Sequence, residues 1–309
     1  YRLINAGKIE NKGIEIALST RPIQTRDFSW DINLNFSKNS NKVKELDGES
    51  DMFELEKASW LDVQVAAKVG ENFGSIVGPD FQRNAKGDIL IDPQTGLPQY
   101  DKSNHVLGNA SWDWTGGLLT NFTYKNLSLV AVFDVKVGAD LYSMSARAAY
   151  ESGKSPETLA GRDAWYRSEE ERLAAGIAKG ADNWKPTGGF VAPGVIDNGD
   201  GTYRPNDIYI NPEDYWMSVC RNAPSMFIYD NSYVKCRELT LSYNVPKSWL
   251  KNVVSGLTVS FVARNPFIVW KNIPNIDPDS NYNNTTGMGL EYGSLPSRRS
   301  YGFNVNVKF

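Results

Sequence analysis

Histidine is almost missing from this chain, and cysteine is scarce. One histidine (His105) and two cysteines (Cys220, Cys236) leave no HExxH or CxxC motif and no histidine-rich cluster, so a zinc protein is excluded. Basic excess is missing too. With 33 Lys and Arg against 36 Asp and Glu, the net charge of −3 gives no electrostatic basis for a nucleic-acid binder. No apolar run approaches the ~18 residues that a transmembrane helix needs. The opening YRLINAGKIE lacks a basic-then-apolar signal region. Catalytic and cofactor motifs fail on inspection. SGKS at 152–155 has Ala148 where a phosphate loop needs glycine. GMGLEYG spaces its glycines wrongly for a dinucleotide fingerprint. DNGDGTY at 197–203 puts Gly199 and Gly201 where a calcium loop needs oxygen ligands, so it reads as a turn. His105 has Ser103 nearby but no GxSxG elbow. No enzyme, metal site or cofactor is expected.

What the chain does have is length, aromatics and alternation. Its 309 residues would make about two soluble domains at roughly 150 residues each. At 41% hydrophobic and 22% charged it is not a disordered composition, and 12% of its residues are aromatic. Side chains on a strand alternate between faces, so a period of two is the signal to count. In 300–309, Tyr301, Phe303, Val305, Val307 and Phe309 share one face, against Ser300, Gly302, Asn304, Asn306 and Lys308. Segment 28–37 sets Phe28, Trp30, Ile32, Leu34 and Phe36 against Ser29, Asp31, Asn33, Asn35 and Ser37. Segments 127–137, 233–245 and 257–263 repeat the pattern, and 13–21 and 115–124 follow it less cleanly. That makes seven strands.

A soluble sandwich also alternates. Three features favour a membrane barrel. The clean strands are about 10 residues long, near the 9–11 that cross a bilayer at a tilt. Trp30, Trp270, Tyr301 and Phe309 lie near strand ends, where interfacial aromatic girdles sit. Connections alternate between short (22–27, 125–126, 246–256) and long (139–232, 271–299), as periplasmic turns and extracellular loops do. The expected fold is therefore all-β, a transmembrane antiparallel β-barrel. One further hairpin is expected within 58–100, from SWLDVQVA and FGSIVGPDFQ. Seven or nine strands is an odd number, and closing it would join two parallel strands. Single-chain bacterial barrels are even-numbered, and open edges in lipid are costly. The chain is expected to be the C-terminal part of a larger barrel, with plug and signal peptide outside it.

Alternation assigns Asp31, Asn33, Asn35, Asp134, Lys136, Glu238, Thr240, Ser242, Arg264, Asn304, Asn306 and Lys308 to the lumen side. Arg264 is a candidate ion-pair partner for Asp134 or Glu238. Loop 139–232 carries Trp165, Tyr166, Trp184, Tyr203, Tyr209, Tyr215 and Trp216, which suit either sugar stacking or packing of the loop on itself. SEEERLAAGIAKG within it reads as a short exposed helix. Cys220 and Cys236 either staple that loop to the strand after it or are two unrelated thiols, and both readings stay open. Asp277 and Asp279 in NIDPDSN suit loop-bracing hydrogen bonds better than a cation. Phe309, closing an alternating strand, has the form of a barrel-assembly signal.

Several blocks resemble one family. VARNPFIVWKNIPNIDPDSNYNN and GLEYGSLPSRRSYGFNVNVKF are similar to the C-terminus of SusC/RagA-type TonB-linked outer-membrane transporters. So are IENKGIEIALSTRPI, FSWDINLNFSKN, GENFGSIVGPDFQRNAKGDILID, LGNASWDWTGGLLTNFTYKNLSL and YDNSYVKCRELTLSYNVP, in family order from about Ile9 to Phe309. Trp112 departs from the pattern, standing where a proline is expected. The resemblance implies a 22-stranded barrel in a Gram-negative outer membrane, an N-terminal plug and a TonB-contacting segment. It also implies a SusD-like surface lipoprotein and an oligosaccharide, less often a peptide, as cargo. A structural or adhesive barrel that transports nothing is the alternative. A soluble carbohydrate-binding β-protein is a third reading.

Overall fold

The computed structural model describes residues 7–46, 50–57, 63–250, 254–281 and 285–309. Along these the chain runs β1 (Gly7–Gln24), β2 (Phe28–Leu46), β3 (Met52–Lys57), β4 (Gln64–Lys68), β5 (Ser75–Phe81) and β6 (Tyr100–Asn109). Next come β7 (Trp114–Tyr124), β8 (Leu127–Val137), β9 (Asp140–Ser143), and helices α1 (Met144–Glu151) and α2 (Arg162–Ala174). Short strands β10 (Phe190–Val191), β11 (Val195–Asp197), β12 (Tyr203–Pro205) and β13 (Tyr209–Ile210) lead into helix α3 (Pro212–Asn222). The chain closes with β14 (Ile228–Asp230), β15 (Tyr233–Asn244), β16 (Gly256–Lys271), β17 (Leu290–Glu291) and β18 (Ser300–Lys308).

Seven strands form one antiparallel wall in the order β1-β2-β7-β8-β15-β16-β18. They are the seven strands that alternation marks. Because the number is odd, β1 and β18 run in the same direction, and among the described residues their outer edges are unpaired. Register carries the alternation across the sheet, since directly opposed residues share a face. Leu129 opposes Leu241 and Phe122, Leu241 opposes Phe261, and Phe261 opposes Phe303. This apolar face is bare: Ile14, Leu18, Leu129, Leu241, Phe303 and Val305 are all exposed. An uncovered apolar surface of this extent calls for an apolar solvent.

Two expectations need correction. First, β2 does not stop at 37. It runs on to Leu46, pairing Lys38–Leu46 with Gly7–Ile14 of β1. This upper hairpin is rich in Lys, Glu and Asn, so it stands clear of the apolar belt in water. Second, the hairpin expected within 58–100 exists as β4 and β5, but outside the wall. It belongs to a separate sheet, β3-β4-β5-β6. The reason is burial on both faces: β4 and β5 are buried almost throughout, whereas a wall strand keeps one face for lipid. Residues 59–62 of SWLDVQVA lie outside the described residues.

All the long connections emerge at one end of the wall and fuse into a single outer body. Its core joins Val63, Val65 and Ile76 from the first, Tyr142, Cys220 and Phe227 from the second, and Leu290 from the third. A second core packs Phe81 and Ile91 against Ile196, Ile210, Tyr215, Trp216 and Val219. The chain stitches the parts with a small sheet, β14-β9-β17. At the opposite end the connections are tight. Thr25 N donates to Phe28 O at 2.7 Å, and Lys125 takes a left-handed φ of 52° to turn β7 into β8.

Candidate functional site: the polar face and the outer body

The face opposite the apolar belt is mostly polar, interrupted by Leu119, Val130, Val132 and Val262. Asp31 opposes Asn121, Asn33 opposes Leu119, and Glu238 opposes Arg264. Asn304 opposes Ser260, Asn306 opposes Thr258, and Lys308 opposes Gly256. Ser242 and Ser260 share a hydrogen bond of 2.8 Å, and Thr240 donates to Glu238 at 2.9 Å. Of the two ion pairs open to Arg264, the one with Glu238 forms, at 3.6 Å. Asp134 is taken instead by Arg237, at 2.6 Å. A further pair, Arg21 with Asp31 at 2.5 Å, ties β1 to β2 on this face.

At the outer end of this face lies a charged latch that sequence reasoning missed in part. The Lys235 ammonium is 2% exposed and donates to Asp279 at 2.5 Å and Asp277 at 3.2 Å. Arg237 holds Asp279 at 2.5 and 2.9 Å, and the Tyr233 hydroxyl donates to it at 2.8 Å. Asp277 also accepts from the Ser297 amide at 2.9 Å and from its hydroxyl. Thus NIDPDSN and SLPSRRS, both in the third connection, are fastened to β15. Bracing, not cation binding, uses these carboxylates. Burial alone would raise both carboxyls. Hydrogen bonds outweigh it, chiefly from Arg237 and Lys235 at Asp279 and from Ser297 at Asp277, and hold both below the usual aspartate range. The signal for Lys235 and Arg237 was present as a phase slip. Odd positions of β15 are polar at 235 and 237 and apolar from Leu239 onward, and the register shifts between Cys236 and Glu238, a bulge. Trp112, the departure from the family pattern, packs edge-on against Tyr233 at 5.9 Å and under the Lys136 ammonium at 5.5 Å.

A second buried acid completes the stitching. Glu291 accepts from Ser143 Oγ at 2.8 Å, Ser145 N at 3.0 Å, Ser145 Oγ at 2.7 Å and Ser294 N at 3.0 Å. It sits at the N-terminus of α1, where the helix dipole favours a negative charge.

The outer-body aromatics divide. Tyr215 and Trp216 are core: they pack against Phe190 and Tyr150 with ring centroids 4.5 and 4.8 Å apart, so neither offers a free stacking face. Trp165 and Trp184 are half-buried, and Tyr166, Tyr203 and Tyr209 are exposed. The expected helix is α2, starting at Arg162 and ending at Ala174, with Ser168 and Arg172 turned inward. DNGDGTY forms the β11–β12 turn, in which Asp197 and Asp200 accept backbone amides at 2.8 and 2.9 Å.

The disulfide reading fails. Cys220 and Cys236 are both free and buried. Cys220 lies on α3 within the outer-body core, and Cys236 lies on the wall opposite Phe133 and Phe267. Burial pushes the Cys220 thiol up to about 12. Phe309 follows the end of β18 and is 97% exposed.

No family model matches the chain. TonB-dependent receptor P3 of Formosa agariphila is 24% identical over 335 residues, 99% of this chain and 29% of that protein. TonB-dependent receptor SusC of Bacteroides thetaiotaomicron is 24% identical over 319 residues, 99% of this chain and 27% of its own length. Among solved structures, the RagAB peptide importer in its closed-closed state superposes with a TM-score of 0.63 at 17% identity, over 99% of this chain and 30% of that one. The chain resembles the SusC/RagA type. Its open seven-stranded sheet, bare and apolar on one face, has the form of an outer-membrane β-barrel wall. It spans under a third of the length of the relatives it matches.

Proposed function

We propose that this SusC/RagA-type chain is the C-terminal part of the barrel domain in a TonB-dependent receptor that imports an oligosaccharide across the outer membrane. In this reading the polar face lines the lumen, with Asp31, Asn33, Asp134, Lys136, Glu238, Thr240, Arg264, Asn304 and Asn306 meeting the plug or the translocation path. The bare face meets lipid. The unpaired edges of β1 and β18 join the remaining strands of the barrel. The plug and the TonB-contacting segment belong to the rest of the receptor, and a SusD-like surface lipoprotein closes over the extracellular mouth. Phe309 serves as the recognition signal for barrel assembly.

One observation carries this reading: a seven-stranded open wall, apolar and bare on one side and polar on the other, in a sequence aligned end to end with TonB-dependent receptors. Deleting the receptor gene, and separately disabling TonB, tests it during growth on single glycans and on peptides as sole carbon source. Both deletions are expected to abolish growth on the same glycan. Growth unaffected by either deletion on every glycan leaves display, without transport, as the function. Loss on peptides alone makes the cargo a peptide.

A further inference from the structure

Two concavities adjoin on the outer body, away from the polar face of the wall. One has a volume of about 220 Å³ and is lined by Arg162, Trp165, Tyr166, Asn211 and Glu213 among others. The other, about 590 Å³, is lined by Trp165, Tyr209, Asn211, Asp214 and Arg221 among others. They share Trp165 and Asn211, so together they form one cleft with an indole at its middle.

The indole is fixed in place. Trp165 sits in the first turn of α2, and that turn lies directly on the backbone of 188–190. A Cβ on Gly161 would come within 2.7 Å of Gly189 and Phe190, and one on Gly188 within 2.9 Å of the Ala164 carbonyl. Yet Trp165 stacks on no other ring, and its Nε1 has no hydrogen-bond partner among the described residues. In its ring packing it differs from its neighbours Tyr215 and Trp216, whose rings are engaged on several sides. Tyr166 is 65% exposed and Tyr209 42%, so each flanking concavity has its own free phenol ring.

The polar lining is pre-set and nearly balanced in charge. Arg162 is held by neutral oxygens, through Nε to Thr158 O at 2.8 Å and through one terminal nitrogen to Gly153 O at 2.9 Å and Thr158 Oγ1 at 2.6 Å. It has no acidic partner among the described residues, and its other terminal nitrogen is unused. Asn211 spends its oxygen capping α3 at the Glu213 amide, 3.1 Å, leaving its NH₂ free. The two linings together carry Arg162 and Arg221 beside Glu151, Glu213 and Asp214, so charges of both signs are mixed and their sum is small. Such a lining does not select a strongly charged ligand. A polyhydroxylated ring, with an apolar C–H face and hydroxyls around its rim, matches aromatic faces bordered by planar polar groups.

We infer that this cleft is a surface binding site for an uncharged oligosaccharide of at least two sugar units, laid across Trp165 with one unit in each concavity. The site is independent of the import reading, because it requires neither the lumen nor TonB. The test is calorimetric titration of the full-length receptor in detergent with maltotetraose, cellotetraose, xylotetraose and mannotetraose, and with tetra-alanine as the peptide probe. At least one tetrasaccharide is expected to bind, and Trp165→Ala to weaken it about tenfold. Trp165→Phe should retain part of the affinity, and Trp249→Ala, an exposed aromatic at the opposite end of the wall, all of it. Far-UV circular dichroism checks that each variant is folded. The proposal is overturned if no tetrasaccharide binds at millimolar concentration, if only tetra-alanine binds, or if folded Trp165→Ala binds as tightly as the parent.

Discussion

Arg237 grips Asp279 with two guanidinium nitrogens, at 2.5 and 2.9 Å, while Lys235 reaches the same carboxylate at 2.5 Å. One acid on the third connection thereby satisfies two cations on β15, one of them almost fully buried. Removing one partner of such a cluster leaves the others uncompensated. Asp277 and Asp134 soften the loss, because each keeps one cation paired. Asp279→Ala is therefore expected to free the segment after Lys271 at a cost of about 3 kcal/mol, the low end for a broken buried pair. Hydrogen exchange should report faster exchange at residues 272–281 and 290–299 with the wall unchanged. Unchanged protection there would refute the latch.

The same latch sets a pH dependence. Both Asp277 and Asp279 titrate below the ordinary aspartate value of 3.8. A carboxyl with a depressed folded value contributes stability that is complete above its unfolded value and lost as pH falls through the folded one. The outer body should therefore stay fastened from neutral pH down to about 4 and loosen only in stronger acid. Hydrogen exchange measured across that range checks the sign. Release between pH 5 and 7 would mean that some other group controls the latch.

Much of the wall was legible because alternation needs only neighbouring residues in the chain. Phe28 to Phe36, Leu127 to Val137 and Tyr301 to Val307 each state their face directly. The upper hairpin of β1 and β2 was not legible, because Lys38, Asn39, Asn41 and Lys42 carry no apolar phase once the strand leaves lipid. β4 and β5 were legible as extended segments but not as non-wall strands. Burial on both faces erases the alternation that would place them, and only the cores holding Val65, Ile76 and Phe81 decide it. Tyr215 and Trp216 looked like ligand contacts because sequence shows an aromatic pair, not the helix that turns it inward. Arg237 was visible in principle: an apolar phase that slips by one residue marks a bulge, and a bulge redirects a side chain.

The face assignment yields a paired prediction. Val305 opposes Val259 on the apolar face, and Asn306 opposes Thr258 on the polar one. An arginine facing lipid costs about 2–4 kcal/mol at the midplane, falling to about 0–1 near an interface. Val305→Arg should reduce assembled, heat-modifiable barrel in outer-membrane fractions far more than Asn306→Arg. Similar yields from the two variants would show that β18 does not divide lipid from water.

Thiol chemistry offers a check on the outer-body core that needs no substitution. Cys220 is 4% exposed, and its Sγ lies 3.7 Å from the Arg147 carbonyl oxygen. Burial pushes its thiol up to about 12, so almost none is thiolate at neutral or mildly alkaline pH. Cys236 is fully buried on the wall. The peptides that carry Cys220 and Cys236 should therefore show no mass change on reduction, and both thiols should resist iodoacetamide until the protein is denatured. Rapid alkylation of Cys220 in the folded protein would mean that α3 does not pack against Tyr142 and Phe227 as the core requires. A reducible bond between the two cysteines would mean that α3 and β15 are far closer than the wall and outer body place them.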